Sequence, residues 1–128
     1  MPVTIELREE NRVIFMVFEA PLRLQEIFDI YPLDKSYRDH FSHKIHALVD
    51  IRKMGKIPAG VLSARHAPDF THPNSGYVVV IGADRLARVM GSMMAQIQGK
   101  NFFKFFDTHE EAWTFLRKII AEDKQAEV

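Results

Sequence analysis

The sequence predicts an α/β fold, a single mixed and mainly parallel sheet that opens with a β-hairpin and has helices packed on it. Three observations predict it. Strand-like apolar runs alternate with helix-period segments from residue 45 onward, so neighbouring strands must be joined by crossovers and lie parallel. The one pair of runs joined by a short polar turn lies at the N-terminus. The 128-residue length, with 47% hydrophobic and 27% charged residues, suits one domain with its own core.

The runs "VTIEL" and "RVIFMVF" flank the polar "REEN" and form the hairpin. The first alternates, while the second is continuously apolar and is expected to be the more buried. Pro21 suits a helix start, and Leu24, Ile27, Phe28 and Tyr31 share a face before Pro32 interrupts. The stretch "LDKSYRDHFSHK" is polar and poorly periodic, and no element is assigned to it. Ile45–Ile51, "IHALVDI", reads as a strand buried on both faces. A helix is expected over "IPAGVLSARH", with Pro58 in its first turn, Val61 and Leu62 as contacts and Pro68 limiting its length. The turn "HPNSG" leads into the strand "YVVVIG". Asp84 is the N-cap of the next helix, whose apolar set is Leu86, Val89, Met90, Met93, Met94 and Ile97, and Gly99 lies near its end. Phe102–Phe106, "FFKFF", alternates aromatic rings over two faces, as a central strand would. Thr108 and Glu111 have capping-box spacing, and Ala112, Phe115, Leu116, Ile119 and Ile120 make the last helix amphipathic, with residues 123–128 as a frayed tail.

Composition narrows the functional classes. Seventeen Lys and Arg oppose seventeen Asp and Glu, nine against nine through Ala64 and eight against eight after it, so no global field favours nucleic acid. The chain has no cysteine, which removes disulfides, thiolate catalysis and cysteine-ligated metal together and points to a cytoplasmic setting. "MPVTIELREENR" is charged where a signal peptide would be apolar, and no apolar run is long enough to span a bilayer.

The order of elements, with "ALVDIR" at 47–52, "IPAGV" at 57–61, "HPNSGYVVVIG" at 72–82 and "FFDTHEEAWTFL" at 105–116, resembles the STAS-like proteins. These are the fold of bacterial anti-sigma-factor antagonists, and the likeness is to their SpoIIAA-like and SEC14-like relatives in particular. It covers most of the chain after Ile45 and rests on the order of motifs that are individually weak. The resemblance implies a single STAS-like domain over 1–128 in a bacterium, and a switch at the loop that follows the aspartate-ended strand, where the antagonists carry a phosphorylatable serine. Here that turn is Pro58, Ala59 and Gly60, without a hydroxyl, and Ser63 lies one turn further on. A partner-binding role survives that departure.

Each candidate site has a plainer reading beside it. Asp50 at a strand's C-terminal end is placed to meet a ligand, and equally to cap its loop, which is the favoured role. Arg52, Lys53 and Lys56 precede an expected helix start, where free N–H groups favour anions, but Gly55 alone makes no phosphate loop. His40, His43 and His46 have metal-like spacing that a strand start at His46 breaks. His66, His72 and His109 lack a nucleophile to serve. The apolar set on the methionine helix is wider than one sheet contact needs, which leaves Met90, Met93 or Met94 for a partner or a second copy. Trp113, off its helix's main stripe, is expected partly exposed and open to a dimer contact.

The expected function is therefore a non-enzymatic interaction or regulatory module without metal or cofactor. It would bind a protein partner, or a second copy of itself, through Asp50, Arg52, Lys53, Lys56, Pro58, Ala59, Gly60 and Val61 with the methionine helix beside them. The alternative is a small-ligand, lipid or anion-binding domain of SEC14-like character, although a cavity would compete with the core for the same side chains.

Overall fold

A computed structural model describes residues 2–99 and 101–128. Strands β1 (Val3–Arg8), β2 (Val13–Glu19), β3 (Ile45–Lys53), β4 (Ser75–Ile81) and β5 (Phe103–Phe106) form one sheet in the order β1-β2-β3-β4-β5. β1 and β2 are antiparallel, and the remaining neighbours are parallel. This is the mixed α/β sheet with an N-terminal hairpin that the residue pattern predicts. The helices are α1 (Leu24–Asp29), α2 (Tyr31–His40), α3 (Pro68–Thr71), α4 (Arg85–Gln98) and α5 (His109–Ala126), with a 3-10 helix over Val61–His66.

The strand order explains how the helices are shared between the two faces. Three successive crossovers that step across a sheet in one direction with one hand all put their helices on the same side. That side of the sheet presents Ile14, Met16, Ala47, Val49, Val78 and Val80. The opposite face, with Val13, Leu48, Val79 and Ile81, is covered by Ala112, Trp113, Leu116 and Ile120 of α5. β2 is buried more continuously than β1, which exposes every second residue, as its alternation requires.

Several boundaries differ from the sequence expectation. Pro21 precedes α1 rather than starting it, and Arg23 occupies the N-cap position. Pro32 sits in the first turn of α2 instead of ending a helix, so the stretch 33–40 is helical. Pro58, Ala59 and Gly60 form a turn, with Gly60 at φ 77°, and the helix after it is a 3-10 helix. Pro68 opens α3 instead of stopping its predecessor. β5 is an edge strand paired only with β4, not a central one. The tail is not frayed, since α5 runs to Ala126 and Arg12 donates two hydrogen bonds to Glu127, at 2.9 and 2.8 Å.

Candidate functional site

The expected interaction site divides between the two faces of the sheet. Side chains of β3 alternate, so Leu48 faces α5 while Val49 and Ile51 face the helices of the other layer. Asp50 faces α5 and is buried. Its carboxylate accepts hydrogen bonds from Arg52 N–H (3.0 Å), from the Arg52 guanidinium through Nε (3.0 Å) and Nη2 (2.8 Å), and from His109 Nε2 (2.9 Å). Burial pulls Asp50 upward, but these donors outweigh it and bring the carboxyl down to about 2. His109 Nδ1 accepts from the Trp113 indole N–H at 3.2 Å. Both imidazole nitrogens are therefore engaged, which leaves none to act as a general base. The Arg52 side chain packs directly over Gly82, where a Cβ would collide with it. Asp50 thus holds the loop amide of Arg52 at its strand end, and the Arg52 guanidinium is paired with the same carboxylate.

Lys53 and Lys56 are exposed, as are Ala59 and Gly60. The helix expected to gather an anion here is a single six-residue 3-10 segment that follows an αL glycine. Ser63 is exposed on that segment. Trp113, expected at a partly exposed position, is 8% exposed. Its indole lies against Phe15, with ring centroids 6.0 Å apart, and the guanidiniums of Arg8 and Arg117 each lie 5.7 Å from its ring. It belongs to the core under α5.

The histidines separate likewise. His46 is buried against Gly76, a position where any Cβ would collide with its ring. Its Nδ1 accepts from Tyr77 N–H at 2.8 Å, so the proton lies on Nε2, which meets Asp123 at 2.7 Å. Burial holds its pKa below the usual histidine value despite that carboxylate. His43 stacks on Phe41, and His40 meets the same ring edge-on. Among the described residues, no group of three or more His, Cys, Asp and Glu is arranged to hold a metal ion.

On the other face, Pro58, Val61, Met90 and Met94 come together as walls of an apolar cavity of about 150 Å³. Met16, Val49, Val78 and Val80 of the sheet form its floor, and Ile27, Tyr31 and Phe70 close its sides. Its polar lining is Tyr31, Asp34 and Asp69. These two aspartates belong to a cluster the sequence reading missed. Arg38, fully buried, donates from Nε to Asp34 (2.7 Å), from Nη2 to Asp69 (2.8 Å), and from Nη1 to Ile45 C=O (2.8 Å) and Ser75 Oγ (2.9 Å). Burial drives the Asp34 pKa well above the carboxylate range; the adjacent Asp69 carboxylate reinforces the rise, and Arg38 opposes it. Tyr31 is pushed up to about 12 by burial and by the same two carboxylates.

The apolar set on α4 divides into two stripes. Met94 and Ala95 are buried against the sheet layer, whereas Leu86, Val89, Met93 and Ile97 are 60, 50, 43 and 56% exposed. Their 3-4-4 spacing aligns them along the outer side of the helix. Arg85, Arg88, Ser92 and Gln96 border Val89 and Met93 along a shallow surface depression. No helix among the described residues is long and apolar enough to cross a membrane. No family model, curated protein or solved structure matches the chain.

Proposed function

We propose that this chain is a STAS-like interaction module, non-enzymatic and acting in a bacterial cytoplasm, that docks a protein partner on the outer stripe of α4. The observation that supports it is the row Leu86, Val89, Met93 and Ile97, four large apolar residues each at least 43% exposed on one line. A helix that needs only to cover a sheet has no use for a second apolar line.

The partner is a protein segment with apolar side chains at helical spacing and carboxylates beside them. Charge complementarity selects that chemistry, because the α4 sequence "RLARVMGSMMAQIQ" carries two arginines and no acid. Arg88 already meets Asp107 at 3.3 Å, and self-pairing of two such helices would bring no carboxylate to Arg85. The six-residue 3-10 helix beyond Gly60 touches α4, and its Val61 and Ala64 line the cavity together with Met90 and Met94.

Cross-linking from cell extract tests the reading, with wild type compared against Val89→Glu/Met93→Glu, two exposed positions where substitution leaves the core intact. The expected result is an acidic protein cross-linked at α4 in wild type and lost in the variant. Recovery of the same protein by both baits, or a wild-type dimer cross-linked α4 to α4, overturns it. The small-ligand alternative is favoured by a different observation, the cavity beneath α4, and makes no use of the outer stripe.

A further inference from the structure

We propose that the cavity between the sheet and the α1, 3-10 and α4 layer is a binding site for a small apolar amine, its hydrocarbon body on the apolar walls and its ammonium against the Asp69 and Asp34 carboxyl groups. The reading is independent of partner docking on α4.

Three observations carry it. The first is the space itself. A cavity of about 150 Å³ walled by Met, Val, Phe and Ile is large enough for one aromatic ring or a short alkyl chain. An engineered apolar cavity of about 150 Å³ stays dry and takes up benzene. The second is the charge count at its polar end. Two carboxyl groups, on Asp34 and Asp69, share the single guanidinium of Arg38. Among the described residues no Lys, Arg or His lines the cavity, so among them one negative charge has no cationic partner in the buried cluster. A buried charge in that position is neutralised by a proton or met by a counter-charge. The third is access. Arg38 and Asp34 side chains are 1% and 2% exposed, but that of Asp69 is 10% exposed. Asp69 is thus the member of the cluster that an entering group reaches first.

The chemistry excludes the obvious competitors. A carboxylate or phosphate would add charge of the same sign to an end already rich in it. A pure hydrocarbon would fill the walls but leave the carboxyl pair as it stands. An ammonium donates to both carboxyl groups and replaces the proton that otherwise neutralises the pair. No covalent step is involved.

The test is a chemical-shift titration of the full chain with four probes of one size: benzylamine, benzyl alcohol, toluene and benzoate. Benzylamine is expected to perturb the amides around Val49, Val80 and Phe70 and to bind about tenfold more tightly than toluene or benzyl alcohol, the scale of one charge-assisted hydrogen bond. Asp34→Asn keeps an acceptor for Arg38 Nε and removes the surplus charge. It should erase the preference for benzylamine and leave toluene binding unchanged. Ala87→Phe, which fills the cavity from α4, should abolish binding of all four probes. Equal or tighter binding of benzoate, a benzylamine preference that survives in Asp34→Asn, or no binding of any probe to wild type overturns the proposal.

Discussion

Asp34 and Asp50 are both buried, yet their surroundings move them in opposite directions. Asp50 receives Arg52 and His109 at a strand end, so its folded pKa lies below the unfolded 3.8; its contribution is present above that value and is lost as pH falls toward about 2. Asp34 shares the Arg38 guanidinium with Asp69, and burial raises it. Between 3.8 and that raised value the folded state holds a proton the unfolded chain has released. Stability from this group is therefore complete below 3.8 and declines as pH rises through the folded pKa. We expect the melting temperature of wild type to fall from pH 5 to pH 8 relative to that of Asp34→Asn, which carries no proton to lose. Thermal melts of both proteins at the two pH values check this, and parallel curves would show that Asp34 is ionised in the fold. Of these two residues, Asp50 was legible in the sequence because it ends an apolar run. Asp34 was not, because in a polar stretch its i,i+4 spacing to Arg38 does not distinguish a buried pair from a solvated one.

Among the elements, α2 and the one-turn α3 escaped the sequence, and for α2 the cause lies in its inward face. Its buried residues are Asp34 and Arg38, four apart, so the stripe that faces the core is charged and the apolar period disappears. The i,i+4 pairing of opposite charges was the remaining signal, and Pro32 drew attention to a stop instead of a first turn. Capping signals fared better, because they are local. Asp84 accepts from Ala87 N–H at 2.8 Å, and Thr108 accepts from Glu111 N–H at 3.2 Å, at the two helix starts where the residue pattern placed them. Asp84 is exposed and α4 has no other acid in its first turn. Asp84→Ala should therefore destabilise the protein by about 1 kcal/mol, the ordinary cost of an N-cap. Urea denaturation measures it, with a lowered midpoint and an unchanged slope as the expected result. A loss below a few tenths of a kcal/mol would mean that sheet packing alone holds the first turn of α4.

At the scale of the whole molecule, the sheet has a firm side and a loose one. α5 buries Ala112, Trp113, Leu116 and Ile120 in one continuous contact, and its far end is tied down by Asp123 to His46 and by Glu127 to Arg12. The other face is roofed in pieces. α1 and the 3-10 helix have six residues each and bury one residue each, Ile27 and Ala64. Both line the cavity, so part of their inner surface has no packing partner and gains no dispersion energy. This division could not be read from the chain, since a cavity depends on how separate elements fit and leaves no periodicity. Local opening should follow the same division. Amides of residues 24–29 and 61–66 are expected to exchange through a partial opening that leaves the sheet intact. Those of Leu48 and Val79, at 0% exposure in two of the three interior strands, should exchange only with global unfolding. Native-state hydrogen exchange in low denaturant separates the two, because only global exchange steepens with denaturant as the equilibrium transition does. Should 24–29 and 61–66 instead follow the global limit, the roof is as firm as the core, and entry to the cavity must occur past the side chains of α4 without movement of the backbone that covers it.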